Sequence, residues 1–209
     1  YRTTKNPNGS SDNGSDNIST DTEKSYGATH FNPNNISNLV PNYDDSYYTE
    51  NGVNQYNDYA RLMQYSLYFY DANMCGSDVG EQSAYSWRDN CHTNDSVSGG
   101  YHDAGDHVMF GLPQGFSAST LGWAYNEFKD SFDSLGLTSH YKDIMKRFCD
   151  FFVESTTLNG DTVTKFLYQK GEGDTDHSYW GAPEMQTVSQ RGNEMFTTNG
   201  ASNIAAQYA

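Results

Sequence analysis

Two aspartates three residues apart are the residues of this chain best suited to chemistry. Asp103 and Asp106 lie in the segment Gly99–Pro113, which is too rich in glycine to form a regular helix or strand. Gly105 lets the backbone fold back between them, so that both carboxylates can face one point. Such a pair can orient a water molecule and accept its proton as the water attacks carbon. The spacing by itself favours a simpler alternative, a turn in which Asp103 caps the backbone and Asp106 pairs with a neighbour.

A metal site is another chemistry open to the same segment. His102, Asp103, Asp106 and His107 offer nitrogen and oxygen ligands, and a metal-dependent hydrolase could use His102, Asp106 and His107. Side chains of near-consecutive residues point in different directions, so four of them seldom converge on one ion. We therefore assign no metal ligand in this chain.

The elements that must position these residues follow from the hydrophobic spacing. Apolar residues recur at helical intervals in three segments, at about 56–72, 116–128 and 141–152, and predict three amphipathic helices. A β-branched and aromatic run at 162–168 predicts one short strand, and we expect no second strand-forming region. Ser202 and Asn203 could cap a helix that begins at Ile204. The predicted fold class is all-α, with a long irregular loop between Asn73 and Leu112, a length uncommon in a compact domain unless the loop is functional.

The first 50 residues predict a linker rather than a folded unit. The stretch 6–17 has no apolar residue and could not offset the entropy lost on folding. We expect a disordered linker over residues 1–50 and a truncated domain over 51–209, which stops soon after its last helix begins. Such linkers join modules, so a further module is expected nearby in the parent protein.

Charge and composition exclude several classes of partner. The formal net charge of −15 and the pI near 4.5 disfavour nucleic acid and anionic membrane surfaces. No apolar run has the length of a membrane span. Aromatic residues make up 15% of the chain, which fits stacking on sugar rings, although tyrosines in a core would account for the same number.

The three cysteines leave the redox setting open. Cys75 and Cys91 flank a loop and could form a disulfide, which would fit an oxidising, extracellular location. Cys149 falls within a helical pattern and is expected to be buried. The spacing alone does not decide whether the first two cysteines pair.

Three ordered motifs resemble one enzyme family. Ser86-Trp87-Arg88, the run from Gly99 to Val108 with Phe110-Gly111-Leu112-Pro113, and the run from Asp176 to Glu184 closely resemble glycoside hydrolase family 9, the inverting cellulases. The resemblance extends from about residue 56 to the end of the chain. It implies the N-terminal part of an (α/α)6 barrel that hydrolyses β-1,4-glucan with inversion at the anomeric carbon.

The resemblance also implies roles for single residues. Asp106 matches the base that activates water, and Asp103 matches its partner in holding that water. Five further positions are expected to line the substrate cleft, namely His177, Trp180, Tyr101, Trp87 and Arg88. Arg88 could reach a carboxylate near the loop and tune it, or could form a structural ion pair instead. Met109 departs from the family, where a lysine is common.

The general acid expected of this family, a glutamate, has no counterpart here. Glu172, Glu184 and Glu194 do not match its context. We therefore expect the fragment to be inactive alone and the parent to be a secreted β-glucan hydrolase. No cofactor is needed for that chemistry, and a structural calcium ion would be held by residues downstream of this chain. A non-catalytic, carbohydrate-binding or degenerate module is the alternative function.

Overall fold

Three long helices form the scaffold of the part of the chain that the structure describes. The computed structural model describes residues 57–209. Helix α1 spans Asn57–Asn73, α3 spans Gly111–Ser134 with a kink at Phe128, and α4 spans Thr138–Glu154. All three predicted helices are therefore present. The predicted linker over residues 1–50 lies outside the described residues.

Helix α4 supplies one face of the core. Its buried residues recur at three- and four-residue intervals, which places them on one side of the helix: His140, Tyr141, Ile144, Phe148, Phe151 and Phe152. The ring of Phe148 packs against that of Tyr101 at a centroid distance of 4.5 Å. The segment that carries Asp103 and Asp106 is thus anchored in the core by Tyr101, which precedes them.

A four-stranded antiparallel sheet corrects the expectation of an all-α chain with a single strand. The strands are β1 (Met109–Phe110), β2 (Thr156–Asn159), β3 (Thr162–Lys170) and β4 (Glu194–Thr197). Strand β3 contains the predicted run 162–168 and pairs with each of the other three. Strands β1, β2 and β4 show no alternation of apolar and polar residues in the sequence. Their conformation is determined instead by their hydrogen bonds to β3.

Short elements fill the connecting segments. Helix α2 is Val79–Gln82, α5 is Gly173–His177, α6 is Val188–Arg191 and α7 is Ser202–Tyr208, and a 3-10 helix spans Pro183–Met185. Helix α7 is present as predicted, but Ser202 lies inside it, and the residue before it, Ala201, has a left-handed φ of 54° and makes no side-chain cap. No helix within residues 57–209 combines the length and the apolar character needed to cross a bilayer.

The position of Cys149 differs from the prediction. Its side chain is exposed, although it lies on the same helix as the buried Phe148. Neighbouring residues on a helix point about 100° apart, so a residue beside a core position can face outward.

Candidate active site

The segment before the two aspartates is pinned to the end of α1. The backbone N–H of His102 donates to the carbonyl of Asn73 at 2.8 Å, and that of Cys75 donates to the carbonyl of Gly100 at 3.1 Å. Gly100 has a φ of +78°, and a side chain there would collide with Met109 and approach Phe151 to 3.1 Å. Glycine is required at this position both by the backbone angle and by the close packing.

Two hydrogen bonds close the loop that carries the carboxylates. The N–H of Asp103 donates to the carbonyl of Val108 at 2.9 Å, and His102 Nδ1 donates to the carbonyl of His107 at 3.1 Å. The chain therefore reverses direction between residues 103 and 108. This reversal brings Asp103 and Asp106 to the same turn, as their spacing around Gly105 predicts.

Asp106 is held by His177, which is 71 positions later in the chain. The Oδ2 atom of Asp106 lies 2.5 Å from His177 Nε2, and the other imidazole nitrogen lies 2.5 Å from the carbonyl of Gly173. This carbonyl, and then the Asp106 carboxylate, raise the pKa of His177. The Oδ1 atom of Asp106 is buried and has no hydrogen-bond partner among the described residues. One oxygen of Asp106 is thus oriented by His177, while the other is enclosed without a hydrogen-bond partner among the described residues.

The pKa of Asp103 is raised above its ordinary value. Its carboxylate is half-buried, and burial, followed by the charge of Asp106, raises the pKa of Asp103, while His177 lowers it. Like charges close together disfavour ionisation of both. The two aspartates therefore interact electrostatically, as a pair that shares one water would.

Two of the predicted cleft residues are open to solvent. The side chain of Trp180 is 93% exposed, and that of Trp87 is 65% exposed and packs on Tyr85 at a ring-centroid distance of 5.0 Å. Exposed indoles offer flat faces to sugar rings. Substrate contact at these positions and at His177 stays a prediction.

Two others are buried, which corrects their assignment to the substrate cleft. Tyr101 belongs to the core, and its hydroxyl donates to the carbonyl of Ile144 at 3.3 Å. Arg88 is also buried and pairs with Glu184 at 2.7 Å, which is the structural ion pair considered as an alternative above. A side chain enclosed by protein presents no surface to a sugar, so we do not carry these two residues into the proposed site.

The family commonly has a lysine where this chain has Met109, and two other basic side chains lie beside this residue. Met109 pairs with Lys170 across the sheet, and the Arg191 guanidinium lies 3.6 Å from its sulfur. Lys170 is fully buried, and both cations contact Asp95. Positive charge therefore lies next to residue 109. It belongs to an ion-pair network with Asp95.

The structure brings together a cluster of possible metal ligands that differs from the set His102, Asp103, Asp106 and His107 named above. The ligand atoms of Cys75, Cys91, His92 and His102 all lie within 4.8 Å of one another. Both cysteines are buried and free, so no disulfide joins them in this structure. A hydrogen bond from Cys91 lowers the pKa of Cys75 well below its usual range, which favours the thiolate form that metals bind.

The surroundings of this cluster fit a structural zinc ion. Two cysteines and two histidines form a typical donor set for zinc. His92 Nε2 faces Gln186 Oε1 at 2.8 Å and His102 Nδ1 faces a carbonyl, so each ring has its other nitrogen directed at the cluster. Ligating histidines are usually oriented by such acceptors. His102 thus belongs to this set, and not to one formed with Asp103, Asp106 and His107.

One buried residue beside the site was missed. Asp176 is fully buried and accepts a hydrogen bond from the backbone N–H of His107 at 2.7 Å. Its position directly before His177 in the Asp176–Glu184 motif was the available signal. A sequence motif does not say which members face solvent and which face the backbone of another loop.

Comparisons with known proteins point to one enzyme family. A family model described as glycosyl hydrolase family 9 matches residues 59–209. An endoglucanase of Dictyostelium discoideum is 36% identical over 163 residues, covering 70% of this chain and 22% of that protein. Endoglucanase B of Cellulomonas fimi is 32% identical over 158 residues, covering 73% of this chain and 15% of that protein.

Solved structures show the same likeness in three dimensions. The catalytic domain of CelT from Clostridium thermocellum has a TM-score of 0.68 at 40% identity, covering 72% of this chain and 37% of that one. The cellulase Cel9M of C. cellulolyticum has a TM-score of 0.66 at 43% identity, covering 75% of this chain and 37% of that one, and was also solved in complex with cellobiose. The chain thus spans little more than a third of the solved domains and less than a quarter of these two curated relatives. By its sequence match and by its fold, the chain belongs to glycosyl hydrolase family 9.

Proposed function

We propose that the catalytic domain containing this chain hydrolyses β-1,4-glucosidic bonds of cellulose or a related β-glucan with inversion. The observation that carries this proposal is the turn on which Asp103 and Asp106 meet, with one Asp106 oxygen oriented by His177 and the other without a partner among the described residues. Family relatives named endoglucanases support the substrate class.

In the proposed reaction Asp106 accepts a proton from a water held between it and Asp103. The water oxygen forms a bond to the anomeric carbon as the bond from that carbon to the leaving sugar oxygen breaks. His177 fixes the direction of the Asp106 carboxylate, so that the base does not have to be reoriented in the transition state. The exposed Trp180 and Trp87 would stack on glucose units of the substrate.

The proton for the leaving oxygen has to come from a separate acid. Inverting glycosidases place the acid and the base roughly 6.5–9.5 Å apart. Glu184 is paired with Arg88, and Glu194 accepts three hydrogen bonds from Ser96 and Val97. We propose that neither acts as the acid, and that residues 1–209 alone do not cleave glucan.

An extracellular location follows from the proposed substrate, since glucan polymers of this kind lie outside the cytoplasm. The free state of Cys75 and Cys91 removes the disulfide as an argument for that location. A neighbouring carbohydrate-binding or docking module remains part of the proposal. So does the absence of any cofactor requirement in the chemical step.

The test uses the complete catalytic domain that contains this chain, with carboxymethyl cellulose as the substrate. Asp106→Asn keeps the shape of the side chain but removes its basicity, and we expect kcat to fall by about 10²–10⁴-fold. Asp130→Asn, an exposed position on α3, is the matched control and should keep full activity. Near-normal release of reducing sugar by the Asp106 variant would refute the assignment of the base.

The stereochemistry and the alternative function are tested in the same preparation. Proton NMR during hydrolysis of a cello-oligosaccharide should show the α-anomer of the product first, whereas a retaining enzyme would release the β-anomer. A wild-type domain that binds cello-oligosaccharides but releases no sugar would instead be the non-catalytic binding module.

A further inference from the structure

A continuous chain of hydrogen bonds joins the cysteine–histidine cluster to the catalytic turn. His92 Nε2 faces Gln186 Oε1 at 2.8 Å, and Gln186 Nε2 donates to Asp176 Oδ2 at 3.0 Å. The other carboxylate oxygen of Asp176 accepts the backbone N–H of His107 at 2.7 Å. The last bond ends on the residue that follows Asp106.

Two adjacent residues of α5 therefore hold two adjacent residues of the loop. Asp176 holds the backbone of His107, and His177 holds the side chain of Asp106 at 2.5 Å. The peptide that joins Asp106 to His107 is fixed on both sides by this arrangement. A shift of α5 relative to the loop would move the base directly.

Burying a carboxylate costs folding free energy unless its oxygens accept hydrogen bonds. Asp176 has no measurable exposure, and its two carboxylate oxygens accept hydrogen bonds from the His107 backbone and from the Gln186 side chain. Hydrogen bonds to an ionised acceptor are shorter and stronger than those to a neutral one. The Asp176 carboxylate thus holds the backbone N–H of His107 by a short hydrogen bond.

We propose that Asp176 and Gln186 are positioning residues for hydrolysis, which set the place of Asp106 without touching the substrate. This inference rests on the proposed function of Asp106. Loss of the hydrogen-bond chain should lower kcat by about 10–100-fold, since supporting residues of this kind and displacements of about 1 Å have effects of that size. The KM for glucan should change less than threefold, because the exposed indoles that would bind sugar are not involved.

A double-mutant cycle in the complete catalytic domain tests the proposal. Asp176→Asn places an amide N–H₂ opposite that of Gln186, and Gln186→Glu places a second carboxylate opposite Asp176. Each single variant is expected to lose 10–100-fold in kcat. The double variant restores a donor facing an acceptor along the whole chain, and its kcat should return to within about threefold of the wild type.

Asp71→Asn is the matched control for burial. Asp71 is as buried as Asp176, but it pairs with His140 and accepts the N–H of Ala84, away from the catalytic turn. Its replacement should lower the melting temperature and leave kcat of the folded enzyme unchanged. A role in stability alone would give the Asp176 variants this same pattern and would overturn the proposal. A double variant with less than a tenth of wild-type kcat would overturn it as well.

Histidine-selective ¹⁵N labelling separates this inference from the proposed function. The amide resonance of His107 should shift in Asp176→Asn and return in the double variant, whatever the reaction is. If Asp106→Asn leaves hydrolysis intact, the proposed base is wrong. If Asp106→Asn abolishes hydrolysis but the cycle leaves kcat unchanged, only the positioning role is wrong.

Discussion

His177 is the residue whose pKa responds to the turn that carries Asp103 and Asp106. Both of its ring nitrogens are engaged, one with the Gly173 carbonyl and one with Asp106, and both contacts raise its pKa. The contact with His177 orients the Asp106 carboxylate. The His177 side chain is nonetheless 61% exposed, so the pair is screened by solvent and contributes little to stability.

The titration of His177 gives a direct prediction. Its NMR midpoint should lie above the ordinary histidine value of about 6.5. Asp106→Asn should lower the midpoint, but not all the way, because the bond to the Gly173 carbonyl remains. A midpoint that does not respond to Asp106→Asn would contradict the contact between these residues.

The same shift determines how the pair affects stability. Because the folded-state pKa is raised, the stabilisation is fully present below the unfolded-state pKa and is lost as the pH rises through the folded-state value. The difference in unfolding free energy between the wild type and Asp106→Asn should therefore shrink with rising pH. Urea denaturation at a series of pH values measures this difference.

At the level of elements, irregular segments carry the candidate site residues, and the long helices support these segments. Isolated bridges join Met74 to Tyr101 and Gly76 to Cys91, so the irregular segment between α1 and α3 is folded back on itself. The cysteine–histidine cluster lies where these bridges meet. His102, which belongs to the cluster, directly precedes Asp103.

A metal in this cluster would tie the loop to its support. We expect the protein to contain about one zinc ion per chain by elemental analysis, and a chelator to lower its melting temperature by roughly 5 °C or more. Cys91→Ser should have the same effect. Cys149→Ser, which changes an exposed cysteine outside the cluster, is the control and should change neither zinc content nor melting temperature. A metal-free protein that is insensitive to chelation would refute the assignment.

At the scale of the whole molecule, several large apolar side chains are exposed within the part of the chain that the structure describes. Large exposed side chains on α1 and α3 include Phe69, Phe116, Trp123 and Phe128. An apolar groove of about 770 Å³ also lies between the β2–β3 hairpin and α7. Since the chain covers 37% of the solved domain of CelT, the rest of such a domain is expected to cover much of this surface.

This surface predicts a difference between the chain and the complete domain. Residues 1–209 alone should bind the dye 8-anilinonaphthalene-1-sulfonate strongly and melt at a lower temperature than the complete domain at equal concentration. The complete domain should bind the dye weakly. Equal dye fluorescence and equal melting temperatures would show that the exposed apolar side chains are not an interface within the domain.

The sequence by itself determined the long helices, strand β3 and the turn of Asp103 and Asp106. These features depend on local spacing: apolar residues every three or four positions in the helices, β-branched residues in β3, and Gly105 between the aspartates. The family motifs then gave this turn a chemical meaning that its spacing alone did not have.

Only the tertiary structure decided which distant residues meet. Strands β1, β2 and β4 exist because β3 lies beside them, and Cys75, Cys91, His92 and His102 converge because two loop segments are bridged. Tyr101 and Arg88 stand in motif positions, yet packing buries them. These outcomes depend on contacts between residues far apart in the chain, which no local pattern encodes. For the same reason, only the packing of α5 against the loop determines that His177 is the partner of Asp106.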